Sequence, residues 1–86
     1  MKLDAKTVAG LDLPAGKSEQ IYWDAELRGF GYRLRHRGGR VHRTWIAQYR
    51  VDGRTRRPTL GAAEVLLPAE ARAAARRILE IGRAHV

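Results

Sequence analysis

Two dipeptides, Gly38-Gly39 and Asp52-Gly53, bracket residues 40–51, and each has the composition of a two-residue hairpin turn, which needs positive φ at both central positions. Such a turn sets register, because it decides which residues face each other across the strands it joins. About Gly38-Gly39, Phe30 meets Ala47, Tyr32 meets Trp45, Leu34 meets Arg43, Arg33 meets Thr44 and Arg35 meets His42. About Asp52-Gly53, Trp45 meets Leu60, Ile46 meets Thr59, Ala47 meets Pro58, Gln48 meets Arg57 and Arg50 meets Thr55. The two turns agree on the phase of the strand they share. They predict a three-stranded antiparallel meander with Phe30, Tyr32, Leu34, Trp45, Ala47, Tyr49 and Leu60 on one face. The other face carries Arg33, Arg35, His42, Thr44, Ile46, Gln48, Arg50, Thr55, Arg57 and Thr59. Pro58 suits this arrangement, since a residue without an N–H is tolerated on an edge strand.

The apolar face needs a cover, and residues 68–80 supply one. Pro68 is placed for a first helical turn, Glu70 favours the N-terminal end, and Ala71, Ala74, Ala75, Ile78 and Gly82 recur at helical spacing. Small residues at 71, 74 and 75 let such a helix sit close to a sheet. The fold expected is α+β: a three-stranded antiparallel sheet packed on one face by a C-terminal helix, with a short N-terminal lead strand. Residues 1–20 read as a lead segment, with Val8, Leu11 and Leu13 ahead of a turn-forming Pro14-Ala15-Gly16-Lys17-Ser18 cluster. Residues 21–80 form the domain proper. In the run Ile21 to Gly31, bulky β-formers precede a bend, and Tyr22 and Trp23 are expected in the core. The last six residues, 81–86, also match the translation of a common sequencing-adapter sequence, so a non-native tail on a truncated chain is expected there.

Charge is concentrated where the open face lies. Residues 28–57 hold ten arginines against Asp52 alone, a net +9, whereas the remaining 7 Lys+Arg and 8 Asp+Glu nearly cancel. A block of this kind favours a polyanionic partner, and Arg in place of Lys favours bidentate contacts to phosphate or guanine. Catalysis has little to stand on. There is no cysteine, Ser18 is the single serine, and His36, His42 and His85 are scattered without a carboxylate partner. No spacing of His, Asp or Glu matches a metal site, and no phosphate-binding or dinucleotide glycine motif occurs. No active site, cofactor, metal or small-molecule substrate is expected. No apolar run approaches the ~20 residues of a membrane-spanning helix, so no membrane partner is expected and the cytoplasm is the expected compartment.

A solvent-facing array rich in Arg, Thr and Gln carries the side chains that read base edges and hold phosphates. Arg33, Arg35, Thr44, Gln48, Arg50, Arg57 and Thr59 are the candidates for facing bases. Arg37, Arg40 and His42 beside the first turn, with Arg54 and Arg56 beside the second, are the candidates for phosphate. Two rivals remain at this level. An RNA-binding module would present stacking aromatics on its open face, and none is expected there. A protein-interaction module would set its basic face against an acidic partner.

The residues Trp23-Asp24, Leu27-Arg28-Gly29-Phe30-Gly31 with Arg33, Gln48-Tyr49-Arg50, Gly53-Arg54, Leu60-Gly61, and Glu70-Ala71-Arg72 with Ala75 make residues 21–79 resemble a known module. It is the N-terminal arm-type DNA-binding domain of phage and integrative-element integrases, the tyrosine recombinases. The resemblance implies a three-stranded sheet, backed by a helix, that enters the major groove of double-stranded DNA at arm-type sites, and a bacterial or phage-encoded chain. It also implies other integrase subunits as partners. Recombination chemistry in that family belongs to a separate catalytic domain with a nucleophilic tyrosine, a role not expected of Tyr22, Tyr32 or Tyr49. This sequence departs from the family in having Leu67-Pro68 where a Ser or Thr often caps the helix.

Overall fold

In a computed structural model describing residues 1–84, both turns form with the backbone their composition demands: φ is 57° and 79° at Gly38 and Gly39, and 51° and 76° at Asp52 and Gly53. The chain order is α1 (Ala5–Ala9), β1 (Glu19–Trp23), β2 (Phe30–Arg37), β3 (Arg40–Ala47), β4 (Tyr49–Val51), β5 (Arg54–Arg56), β6 (Thr59–Ala62) and α2 (Pro68–Ala84). Register between β2 and β3 follows the turn along its whole length, from Phe30↔Ala47 to Arg37↔Arg40.

The sheet has four strands where the turn signals give three. Its order is β1-β2-β3-β6, all antiparallel, and the lead strand β1 pairs along β2 from Glu19↔Arg35 to Trp23↔Gly31. Beyond Ala47 the second hairpin separates into a two-stranded ribbon, β4-β5. The reason is local: the Gln48 N–H donates to the Gly29 carbonyl at 2.7 Å, and Pro58 has no N–H to offer. The Asp52-Gly53 register holds through Tyr49↔Arg56, Arg50↔Thr55 and Ile46↔Thr59, then shifts by one. Trp45 therefore faces Gly61, not Leu60 as the sequence predicts, and Leu60 bulges to pack on the core.

That core lies between the sheet and α2. Trp45 stacks on Phe30 with ring centroids 5.4 Å apart and meets Tyr32 at 4.9 Å, and its indole N–H donates to the Leu66 carbonyl at 2.9 Å. From α2, Ala71, Ala75 and Leu79 are buried against these rings, with Ile78 half-buried beside them. The helix lacks a capping side chain at Leu67. Instead the Glu70 carboxylate reaches back to accept from the Leu67 N–H at 3.0 Å, which is half of a capping box. It continues to Ala84, so it runs into the stretch expected as a tail, of which His85 and Val86 lie outside the described residues.

The lead segment packs on the same face. Leu3 is buried, Val8, Leu11 and Leu13 rest against the core, and Asp4 caps α1 by accepting from the Thr7 N–H at 2.8 Å. One side chain joins three parts of the chain. Asp24 is wholly enclosed, accepting from the Leu3 N–H at 2.7 Å and from the Leu27 and Glu26 N–H groups at 2.6 and 2.9 Å. Arg72 of α2 grips both of its oxygens, at 2.7 and 2.9 Å, while lying 5.2 Å above the Phe30 ring.

Candidate nucleic-acid interface

Pleat geometry decides which side chains reach the uncovered face. Residues opposite each other in an antiparallel pair share a face, so β1 contributes Glu19, Ile21 and Trp23, β2 contributes Arg35, Arg33 and Gly31, and β3 contributes His42, Thr44 and Ile46. Thr59 joins them opposite Ile46. The helix and the lead segment cover the other side, so the sheet's own arginines on the uncovered face are Arg33 and Arg35.

The predicted side chains differ in how free they are. Arg33 is held: its Nε donates to Glu19 Oε2 at 2.9 Å and its Nη2 donates to the same oxygen, leaving 18% of the side chain exposed. Arg35 and Thr44 are half-buried, and His42 and Thr59 are exposed. Gln48 and Arg57 form a unit, with Arg57 Nε donating to Gln48 Oε1 at 2.7 Å. Arg50 folds back on its own turn, where Nη2 donates to the Gly53 carbonyl at 3.2 Å.

The candidates for phosphate fall into two groups at opposite ends of the β3–β4 line. Arg37 and Arg40 face each other across the Gly38-Gly39 turn, and both are exposed. Arg54 and Arg56 pair with Val51 and Tyr49, which puts them on the other pleat of the ribbon from Arg50 and Thr55. Both are exposed, on the side of the ribbon that Tyr49 turns toward the core. Arg43, which also falls within the basic stretch, belongs to the buried side. It donates to the Leu11 carbonyl at 2.8 Å, to Asp12 at 3.1 Å and to the Tyr32 hydroxyl at 3.2 Å.

Two features of this face escape sequence reasoning. Glu19 is an acid set among arginines, and its tie to Arg33 joins positions distant in the chain. Trp23, expected in the core, is on the open face and 40% exposed, so that face does carry an aromatic. Tyr22 alone of the pair turns inward, with its hydroxyl donating to the Asp12 carbonyl at 2.8 Å. The signal available was Gly31: a bare position opposite Trp23 leaves room for a ring. Elsewhere, a cleft bounded by Leu3, Leu67, Pro68 and Arg76 lies on the helix side, away from the open sheet face. Among the described residues, no group of three His, Cys, Asp or Glu side chains is arranged to hold a metal ion, and no helix is long and apolar enough to cross a membrane.

Width limits how such a face meets a duplex. Three inter-strand spacings span ~14 Å, slightly more than the ~12 Å of a B-DNA major groove. Were such a face laid in that groove, only the central strands β2 and β3 would have room at its floor. Comparisons with protein-family models, with curated proteins and with solved structures return no match for this chain.

Proposed function

We propose that this chain is a sequence-specific, double-stranded DNA-binding module that lays the β2–β3 face of its sheet in the major groove. The observation that carries this reading is a sheet face left uncovered, with Arg35, His42 and Thr44 on it and exposed Arg37 and Arg40 at its turn, backed by a helix that buries the opposite side. Gln48 with Arg57 has the chemistry to read adenine and guanine edges, Arg35 and Thr44 lie over the central strands, and the exposed turn arginines Arg37 and Arg40 suit phosphate. In the integrase setting that the sequence resembles, such a module holds a recombinase on arm-type sites while a separate catalytic domain exchanges strands. A bacterial or phage-encoded protein acting in the cytoplasm accords with that setting.

The test is selection from random duplex DNA, followed by titration of the recovered site against salt. A preferred motif is expected, with a log–log salt slope near about −5 if roughly six phosphates are neutralised. A flat salt response sinks the reading.

Trp23 favours one alternative. An aromatic on an open sheet is what a single-stranded RNA binder uses for stacking, though such sheets stack two or three bases and this face offers a single ring. Parallel titration against single-stranded RNA and the selected duplex separates the two.

A further inference from the structure

Ile46 is the odd member of the open face. Its side chain is fully buried, yet its pleat places it among polar residues and it takes no part in the core beneath α2. Its cover is local. Trp23, Gly31 and Ile46 form one row across β1, β2 and β3. A Cβ at position 31 would stand 3.0 Å from Cε3 and Cζ3 of the indole and 3.2 Å from Ile46 Cγ1. The indole therefore reaches from the edge strand over β2, and the absence of a side chain at Gly31 is what seats it. Gly31 is not among the glycines with positive φ, so the ring and not the backbone calls for glycine there. The result is a fixed apolar island, part of it open to solvent, whose neighbours along β2 and β3 are Arg33 and Thr44.

In the major groove every base-pair edge presents donors and acceptors, and the one apolar group is the C5-methyl of thymine. Resting on the duplex reading above, the geometry points to Trp23, seated on Gly31 and Ile46, as a specificity-determining contact for a thymine methyl. The surrounding arginines select a polyanion, and an island one row deep has room for a single methyl rather than a protein's apolar surface. Because the ring lies over β2, it sits above the groove floor although its own strand is at the sheet edge.

The test uses the full 86-residue chain and the duplex recovered by selection. Each thymine is replaced in turn by deoxyuracil, which keeps the hydrogen-bonding groups and removes only the methyl. At one position affinity falls about fourfold, the factor that corresponds to one buried methyl group, and in Trp23→Ala the same replacement has no effect. Trp45, buried in the core, is then the sole indole, and its emission reports that the variant is folded. If Trp23→Ala does not fold, Trp23→Leu, which keeps an apolar cover over Ile46, takes its place with reduced discrimination expected. A recovered site without thymine, equal affinity for thymine and uracil throughout, or a uracil effect undiminished in the variant overturns the assignment and leaves the duplex reading standing. Binding of single-stranded RNA with no preferred duplex overturns both.

Discussion

Replacing Asp24 with alanine should come close to unfolding the protein, although Asp24 is not among the residues proposed to meet DNA. Its carboxylate is wholly enclosed and accepts three backbone N–H groups and both arms of Arg72. Alanine leaves the guanidinium, itself only 16% exposed, facing an empty site. Removing one partner of a buried ion pair costs about 3–5 kcal/mol, before any charge for the orphaned N–H groups. A chain of this length has a total stability of roughly 4–13 kcal/mol, so much of it is at stake. At ~4–8 °C per kcal/mol for a domain of this size, thermal unfolding followed by circular dichroism at neutral pH should show a fall of about 12–40 °C. Asp24→Asn keeps an acceptor and should fall less. The pH dependence has a definite sign. Burial pushes the carboxyl pKa up, but Arg72 and the Leu3 and Leu27 N–H groups outweigh it, so it lies well below its ordinary 3.8. Stability from this group is thus complete above about pH 4 and lost as the pH falls further, and Asn should flatten that loss. A melting temperature for Asp24→Ala within about 3 °C of the parent (under ~1 kcal/mol at this size) would refute the reasoning.

Three further outcomes are expected. Gln48→Ala and Arg57→Ala should each relax base preference by about 1–3 kcal/mol, whereas Arg37→Ala or Arg40→Ala should weaken all duplexes alike and reduce the salt slope by about 1; selection repeated on each variant checks the division. Glu19→Gln replaces the charged acceptor of the Arg33 guanidinium with a neutral one, so duplex affinity measured by fluorescence anisotropy should rise, while stability falls by about 1–3 kcal/mol because Arg33 is only 18% exposed; unchanged affinity would show that Arg33 takes no part. Gly31→Ala pushes a methyl against the indole and Ile46, costing about 1–3 kcal/mol in denaturant unfolding and shifting Trp23 emission, and an unaltered spectrum would mean the ring is not seated there.

How far the fold was legible depended on whether the chain carried its own ruler. Gly38-Gly39 did, and every pair between β2 and β3 follows from it. Asp52-Gly53 did so as far as Thr59, beyond which a single bulged residue, Leu60, displaced the pairing. Nothing comparable marks the connection 24–29, so a short strand was legible from Ile21 onward but not its start at Glu19, its register or its place in the sheet. That gap explains the error over Trp23. Hydrophobicity alone assigned it to the core; the pairing Trp23↔Gly31, had it been known, puts it on the other side. Asp24 and Arg72, and likewise Glu19 and Arg33, join residues remote in sequence, and no local pattern announces such contacts. That Arg33, Arg35, His42 and Thr44 share one side of the sheet was readable, because alternation needs only the phase of one strand.

The interruption at Gln48 stands directly across from the one at Arg57 and Pro58, so both rails of the second hairpin break at the same level. Between the two rails, what crosses that level is Ala47 N–H to the Pro58 carbonyl at 3.1 Å and the Arg57–Gln48 contact. Past it the ribbon keeps three cross-strand pairs of its own. Tyr49, packed against the core, anchors the near end of this ribbon, and its outer turn is the part with the fewest ties to the four-stranded sheet. Amide exchange should therefore be faster in 49–56 than in 30–47, because a two-stranded ribbon shields its backbone less than a four-stranded sheet does.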